Sequence, residues 1–259
     1  MKAYEIMDIL FSLADMGGFE NTCDTLKCGN AEKDVKRAAV TMFPTVEVIR
    51  KASEWGAELL VVHEPLYYNH MDKHSDDRVE VKKRELLENS EMTVYRYHDH
   101  SHIARPDMIS IGMFESLGLS GKYEYESDGL VRYHLCEEIT PRELAAHMEK
   151  RLGIKNLRIA GSIDTPCRVL SGKFGSPGGV GRELRSDKCE IMLIGEVCEW
   201  ADCEYARDAA QLGLRKAIIA MGHIPSEREG MKYIAGILKD KCPELDVKYF
   251  ESGEVFDYT

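Results

Sequence analysis

The sequence lacks any apolar run long enough to cross a lipid bilayer, which takes roughly 20 consecutive apolar residues. We also expect no secretion signal, because Glu5, Asp8 and Asp15 interrupt the stretch that would form its apolar region. We therefore expect a cytoplasmic protein that makes no membrane contact.

Positive charge is scarce and dispersed. The 259 residues include 34 Lys and Arg against 45 Asp and Glu, which gives a formal net charge of -11. Nucleic acid is therefore a poor candidate partner, because binding its phosphates requires a concentrated positive face.

Two further motifs are absent. The eight cysteines include no Cys-x-x-Cys pair of the zinc-ribbon or thioredoxin type, since Cys23 with Cys28 and Cys198 with Cys203 are each five positions apart. We expect reduced, structural thiols. No Gly-x-x-x-x-Gly-Lys-Ser/Thr loop indicates nucleotide binding either.

Strand and helix patterns alternate along the chain. The opening helical pattern is predicted to stop at Gly17-Gly18. A β-favouring run over 35–42 then leads to a helix capped by Thr45, and a buried strand follows over 57–62. This order predicts a parallel crossover and an α/β fold.

The chain is long enough for two domains. Around residues 123–140 the pattern changes to short segments, whereas strand and helix alternation resumes towards the end. We predict two layered α/β domains. The metal-site domain would comprise residues 1–122 and 190–259, and residues 123–189 would form a smaller inserted α/β domain.

Three apolar runs end in histidine and a second polar group. Residues 57–62 lead to His63-Glu64, residues 92–97 lead to His98 and His102, and residues 216–221 lead to Gly222-His223-Ile224-Pro225-Ser226-Glu227. The carboxyl ends of parallel strands are where ligands bind in open sheets. Residues four apart, such as His223 and Glu227, share one helical face.

These side chains form a candidate set of metal ligands: His63, Glu64, His98, His102, His223 and Glu227. Nitrogen and oxygen donors of this kind suit zinc, manganese or iron. Six protein ligands are too many for one catalytic ion with an open position and are natural for two. The alternative is that each histidine is an ordinary surface or hydrogen-bonded residue.

The same residues carry a resemblance to a known family. The segment 39–45, the segment 56–66 with its His63-Glu64-Pro65-Leu66 ending, and the closing Gly222-to-Glu227 motif resemble the Nif-three-like proteins, also called GTP cyclohydrolase I type 2. The turn 175–179 and the strand end 193–196 resemble further motifs of that family.

The resemblance implies two divalent ions held by a His-His, a His-x-x-x-Asp and a His-x-x-x-Glu motif. His63, His98, His223 and Glu227 match directly. Glu64 stands where the family usually has its second histidine, and His102 where it usually has aspartate. We interpret this exchange as a redistributed dinuclear site. The neighbouring Asp99 is a ligand, a residue that supports one, or a solvated surface residue.

The predicted function is that of a metal-dependent hydrolase, GTP cyclohydrolase-like or phosphoesterase-like, acting on a small nucleotide or phosphoester through a metal-activated water. No catalytic residue beyond the metal ligands is assigned. The alternative is a non-catalytic metal-binding or regulatory interaction protein. The family resemblance also implies a homo-oligomer, with a hexamer as the candidate assembly. The glycine-rich stretch 172–181 either cradles an anion or forms a simple turn. His70 and His74, in a charged loop, are expected to lie outside the site.

Overall fold

A computed structural model describes residues 1–14, 21–126 and 130–257. The chain divides into two compact units, one formed by Met1–Met108 with Met231–Thr259 and the other by Ile109–Gly230. The predicted end of the opening helix at Gly17-Gly18 lies outside the described residues. No helix within the described ranges is both long and apolar enough to cross a membrane.

The first unit is built on a five-stranded sheet with the order β1-β4-β3-β2-β11, strands and helices being numbered along the whole chain. Strands β11, β2, β3 and β4 are parallel, and β1 is an antiparallel edge strand. The strands are β1 (Leu26–Cys28), β2 (Arg37–Thr41), β3 (Leu59–Val62), β4 (Thr93–Arg96) and β11 (Asp246–Phe250). The helices are α1 (Ala3–Phe11), α2 (Val46–Trp55), α3 (Arg78–Ser90) and α4 (Asp99–Ile103).

The predicted crossover is confirmed, because β2 and β3 pair in parallel and α2 lies between them in sequence. The Thr45 hydroxyl accepts a hydrogen bond from the backbone N–H of Val48, and Gly56 ends α2 in the left-handed conformation. Every residue of β3 is buried, and Leu60 and Val62 pack in one core cluster with Val48. The apolar face of α2 therefore covers the sheet whose strand β3 leads to His63.

The second unit is built on a six-stranded mixed sheet with the order β5-β6-β8-β9-β10-β7. Its strands are β5 (Gly121–Tyr125), β6 (Val131–Ile139), β7 (Arg158–Gly161), β8 (Cys167–Lys173), β9 (Ile191–Ile194) and β10 (Ala217–Ala220). The helices are α5 (Met108–Leu117), α6 (Pro141–Leu152), α7 (Gly181–Leu184), α8 (Glu204–Gln211) and α9 (His223–Lys241), of which residues 223–230 belong to this unit, and Glu199–Cys203 form a π-helical turn.

The mixed α/β class is as predicted, but the second unit is wider than the expected insertion at 123–189. Strand β9 pairs in parallel with β8, and β10 pairs in parallel with β9, so the strands after residue 190 extend the same sheet. Backbone pairing between strands, which no local pattern reveals, thus places the segment that leads to His223 in the second unit.

Candidate metal centre

Two neighbouring parallel strands bring three predicted ligands together in the first unit. Strand β3 pairs with β4, and His63 and His98 follow their carboxyl ends. His98 is the residue before α4, and His102 lies one turn along that helix. The sequence expectation that strand ends would bring these imidazoles together is therefore met within this unit.

The three rings are close enough to share one ion. The ring centroid of His63 lies 4.5 Å from that of His98 and 5.1 Å from that of His102, and the last two are 5.0 Å apart. One ligand nitrogen from each ring lies within 4.8 Å of the others. Three imidazole nitrogens are a common protein ligand set for a catalytic zinc ion, which keeps a further position open.

Each of these rings is oriented by a hydrogen bond at Nδ1. The acceptors are the carbonyl of Tyr97 for His63 at 3.2 Å, Asp99 Oδ1 for His98 at 3.0 Å and Asp107 Oδ2 for His102 at 3.0 Å. With the proton on Nδ1, Nε2 is the nitrogen with a lone pair for a metal. Metal-binding histidines characteristically donate their other nitrogen to an oxygen in this way.

The surroundings also keep His98 neutral. Burial, and then the neighbouring His63, lower the pKa of His98 to about 4, despite the hydrogen bond to Asp99. Burial opposes ionisation of Asp99, yet hydrogen bonds from His98, the Cys23 backbone N–H and the Thr22 hydroxyl hold its pKa well below the usual range. A neutral imidazole beside an ionised carboxylate is the form that binds a metal. Asp99 thus supports His98 in this structure.

Glu64 occupies a buried position with its own cation. The residue is 7% exposed and Oε2 lies 3.8 Å from Nη2 of Arg96, which is fully buried. Arg96 also donates from Nε to the carbonyl of His63 at 2.9 Å and pairs with Asp72 at 3.2 Å. Arg96 therefore fixes the backbone at His63 and places a positive charge beside the Glu64 carboxylate.

In the second unit, α9 carries the other predicted pair. The helix begins at His223, so His223 and Glu227 lie one turn apart with Nε2 and Oε2 separated by 3.3 Å. His223 Nδ1 donates to Glu196 Oε1 at 2.8 Å. Glu227 is only 2% exposed. The His223 ring is thus oriented by a hydrogen bond at Nδ1, as are the three rings in the first unit.

The glycine-rich turn supports this pair through backbone contacts. The N–H of Gly175 donates to the Ser226 hydroxyl at 2.9 Å, and its carbonyl accepts the N–H of Glu196 at 2.7 Å. A Cβ atom at residue 175 would overlap the carboxylate of Glu227, and the residue has φ +67°. Glycine is therefore required here both for the conformation and for the close approach.

Sequence reasoning missed the residues that orient the rings. Asp107 and Glu196 were not predicted to contact a histidine, although Glu196 ends the strand motif that carried the family resemblance.

The expectation that His70 lies away from the site was wrong, because its ring centroid is 5.4 Å from that of His98 and its Nε2 is 3.8 Å from Asp99. His74 instead contacts Arg84 and the Tyr67 ring.

Similar proteins share this fold and this length. A protein of Clostridium perfringens called GTP cyclohydrolase 1 type 2 homolog is 24% identical, over 99% of this chain and 98% of its own. One of the same name from Methanocaldococcus jannaschii is 27% identical, over 90% of this chain and 92% of its own. A Bacillus cereus protein related to NIF3 has a similar fold, with a TM-score of 0.79 and 16% identity over 100% of this chain and 99% of that one.

A further structure, reduced HcgD from Methanocaldococcus jannaschii, has a TM-score of 0.75 at 20% identity and covers 96% of this chain and 97% of its own. At these identities the likeness establishes the fold. The family model described as Duf34/NIF3 (NGG1p interacting factor 3) matches residues 1–254. Its match spans both units and all six predicted ligands, and the chain belongs to this family.

Proposed function

We propose that this protein binds two divalent metal ions and uses them as a hydrolase. The ligands would be His63, Glu64, His98, His102, His223 and Glu227. The observation that carries the proposal is the uniform orientation of the four histidines, each of which hydrogen-bonds an oxygen acceptor through Nδ1. An ordinary surface histidine has no need of that arrangement, whereas a metal ligand does.

The donor set fits zinc, manganese or iron. It combines imidazole nitrogens with the two carboxylates, Glu64 and Glu227, and both carboxylates are buried. A divalent pair, when bound, would supply a water of lowered pKa and polarise the group that this water attacks. The two carboxylates carry less negative charge than two divalent ions carry positive charge, which favours an anionic substrate.

The protein's own side chains would prepare this chemistry. Asp99, Asp107 and Glu196 fix the rings through Nδ1, which reduces the freedom that would be lost on binding. Arg96 donates to the His63 carbonyl and pairs with the Glu64 carboxylate. The Gly175 turn leaves space for the Glu227 carboxylate.

The substrate class follows from the relatives' names and from charge. Relatives called GTP cyclohydrolase 1 type 2 homolog point to a nucleotide, and a small phosphoester suits the same metal chemistry. The second candidate function is that of a non-catalytic metal-binding or regulatory protein, which the family description as an interacting factor favours. We further propose a cytoplasmic homo-oligomer, with a hexamer as the candidate assembly.

Turnover separates the two candidate functions. Protein loaded with manganese, iron or zinc is offered GTP and a panel of phosphoesters, and product formation is followed. Hydrolysis that His98→Ala abolishes and His74→Ala leaves intact would support the hydrolase. Stoichiometric metal binding without turnover of any compound would support the binding role.

A further inference from the structure

The second unit contains a cavity of about 620 Å³ whose walls do not include the candidate metal ligands of that unit. Strand β6, the end of β8, the glycine-rich segment after it and α7 supply its lining. The lining includes Glu126, Leu130, Arg132, Lys173, Arg182 and Glu183.

Both acidic groups on the wall already have cationic partners. Glu183 accepts two hydrogen bonds from Arg132, at 2.7 Å from Nε and 2.8 Å from Nη2. Glu126 pairs with Arg132 and with Lys188, whose Nζ lies 2.9 Å away, and these two cations lower its pKa to about 2. The bidentate geometry around Arg132 satisfies its guanidinium largely within the protein.

Two further cations on the wall have no such partner. Among the described residues, neither the Lys173 ammonium nor the Arg182 guanidinium makes a hydrogen bond or an ion pair. Lys173 is half-buried and Arg182 is exposed. These two positive charges face one cavity, on a chain whose net charge is -11. They make this cavity a favourable place for an anion to bind.

The segment between these cations favours the same ligand. Gly178, with φ +73°, and Gly179 expose the backbone where the chain passes the cavity. Turns of this kind bind anions through successive N–H groups. Asp202 Oδ2 accepts the N–H of Val180 at 3.0 Å and anchors the end of the segment.

The size indicates more than a bare inorganic anion. Small-molecule pockets typically measure about 300–1,000 Å³, and this cavity lies within that range. Leu130, Pro177 and Val180 provide an apolar wall beside the cations. We propose that the cavity binds a phosphorylated small molecule of about nucleotide size, whose phosphate groups contact Lys173 and Arg182. This site is separate from the proposed metal centre and does not depend on hydrolase activity.

Titration calorimetry on metal-free protein, in the presence of a chelator, tests the site without a contribution from bound metal. Inorganic pyrophosphate and guanosine monophosphate are the probes, and uncharged guanosine is the comparison. We expect saturable binding of both phosphates, and at least tenfold weaker binding to Lys173→Met and to Arg182→Met.

Arg168→Met is the matched control, because Arg168 is exposed on the same strand as Lys173 and lies outside the cavity lining. It should bind like the wild type, and so should His223→Ala. Circular dichroism confirms that each variant is folded. Absence of saturable binding by either phosphate would overturn the proposal, as would equal losses in Arg168→Met or unchanged affinity in both Lys173→Met and Arg182→Met.

Discussion

The carboxylate of Asp24 holds the backbone of His98, whose N–H donates to Asp24 Oδ1 at 2.6 Å across 74 residues of sequence. Asp24 also accepts the N–H groups of Asp99 and His100, and Oδ2 accepts His100 Nδ1 at 2.7 Å. It therefore satisfies the free N–H groups at the start of α4, the helix that carries His102. One buried acid thus sets the position of two candidate ligands.

Replacing Asp24 with Asn should weaken metal binding and stability together. The amide keeps one acceptor oxygen but places an NH₂ group against donors at His98 to His100, so we expect a loss of about 1–3 kcal/mol in the free energy of unfolding. Metal affinity should fall by roughly 10–100-fold. Urea unfolding and metal titration measure the two effects. Asp76→Asn, an exposed acid, is the control, and an equal effect there would refute the role of Asp24.

The acceptor on His223 can be tested by a pair of variants. Glu196→Ala removes the oxygen that orients the ring, whereas the amide oxygen of Glu196→Gln can still accept from Nδ1. We expect roughly 10–100-fold weaker metal binding for the alanine variant and a much smaller loss for the glutamine variant. Wild-type affinity in Glu196→Ala would show that the ring needs no such support.

Two glycines in the same turn separate strain from steric overlap. Gly175 and Gly178 both have positive φ, but an added Cβ meets the Glu227 carboxylate at residue 175 and nothing within 4 Å at residue 178. Gly178→Ala should cost about 1 kcal/mol of stability through backbone strain alone. Gly175→Ala should cost more and should also weaken metal binding, as measured by thermal unfolding and titration. Equal behaviour of the two variants would contradict the packing described here.

Lys83 gives a prediction for alkaline pH. The side chain is 3% exposed, Nζ donates to the carbonyl of Leu66 at 2.7 Å, and burial lowers the pKa to about 8 from the ordinary 10.5. Between these values the unfolded chain holds more protons than the folded one, so this group's contribution to stability rises with pH.

The unfolding free energy of wild type minus that of Lys83→Met should therefore increase between pH 8 and 10, by at most about 1.4 kcal/mol per pH unit. Urea unfolding across this range measures the difference. Lys82→Met, at a neighbouring exposed position on α3, is the control for removing a lysine from this helix. A constant or falling difference for Lys83→Met would contradict a lowered pKa.

Local patterns in the sequence predicted strands β3 and β4 and the place of the candidate ligands at their ends. The apolar runs 57–62 and 92–97 correspond to β3 and β4, and their parallel pairing places His63 near His98. The four-residue spacing likewise placed His223 and Glu227 on one helical face, as α9 shows. Periodicity and strand order are enough for this much.

Contacts between distant parts of the chain could not be predicted. Asp24 reaches His98 across 74 residues, and Glu196 reaches His223 across 27, so both depend on tertiary structure. His70 is in a loop without periodicity, and only folding brings it close to Asp99. The wider second unit has the same cause, since backbone pairing of β9 with β8 decides where that segment belongs.

Metal content of the purified protein is the most direct test of the dinuclear metal site. After loading with zinc, manganese or iron and removal of excess, elemental analysis should find about two ions per chain. His98→Ala and His223→Ala should each hold fewer, and His74→Ala, whose ring contacts Arg84 and Tyr67, should match the wild type. No bound metal after loading, or equal losses in His74→Ala and His98→Ala, would contradict metal binding by the candidate ligands.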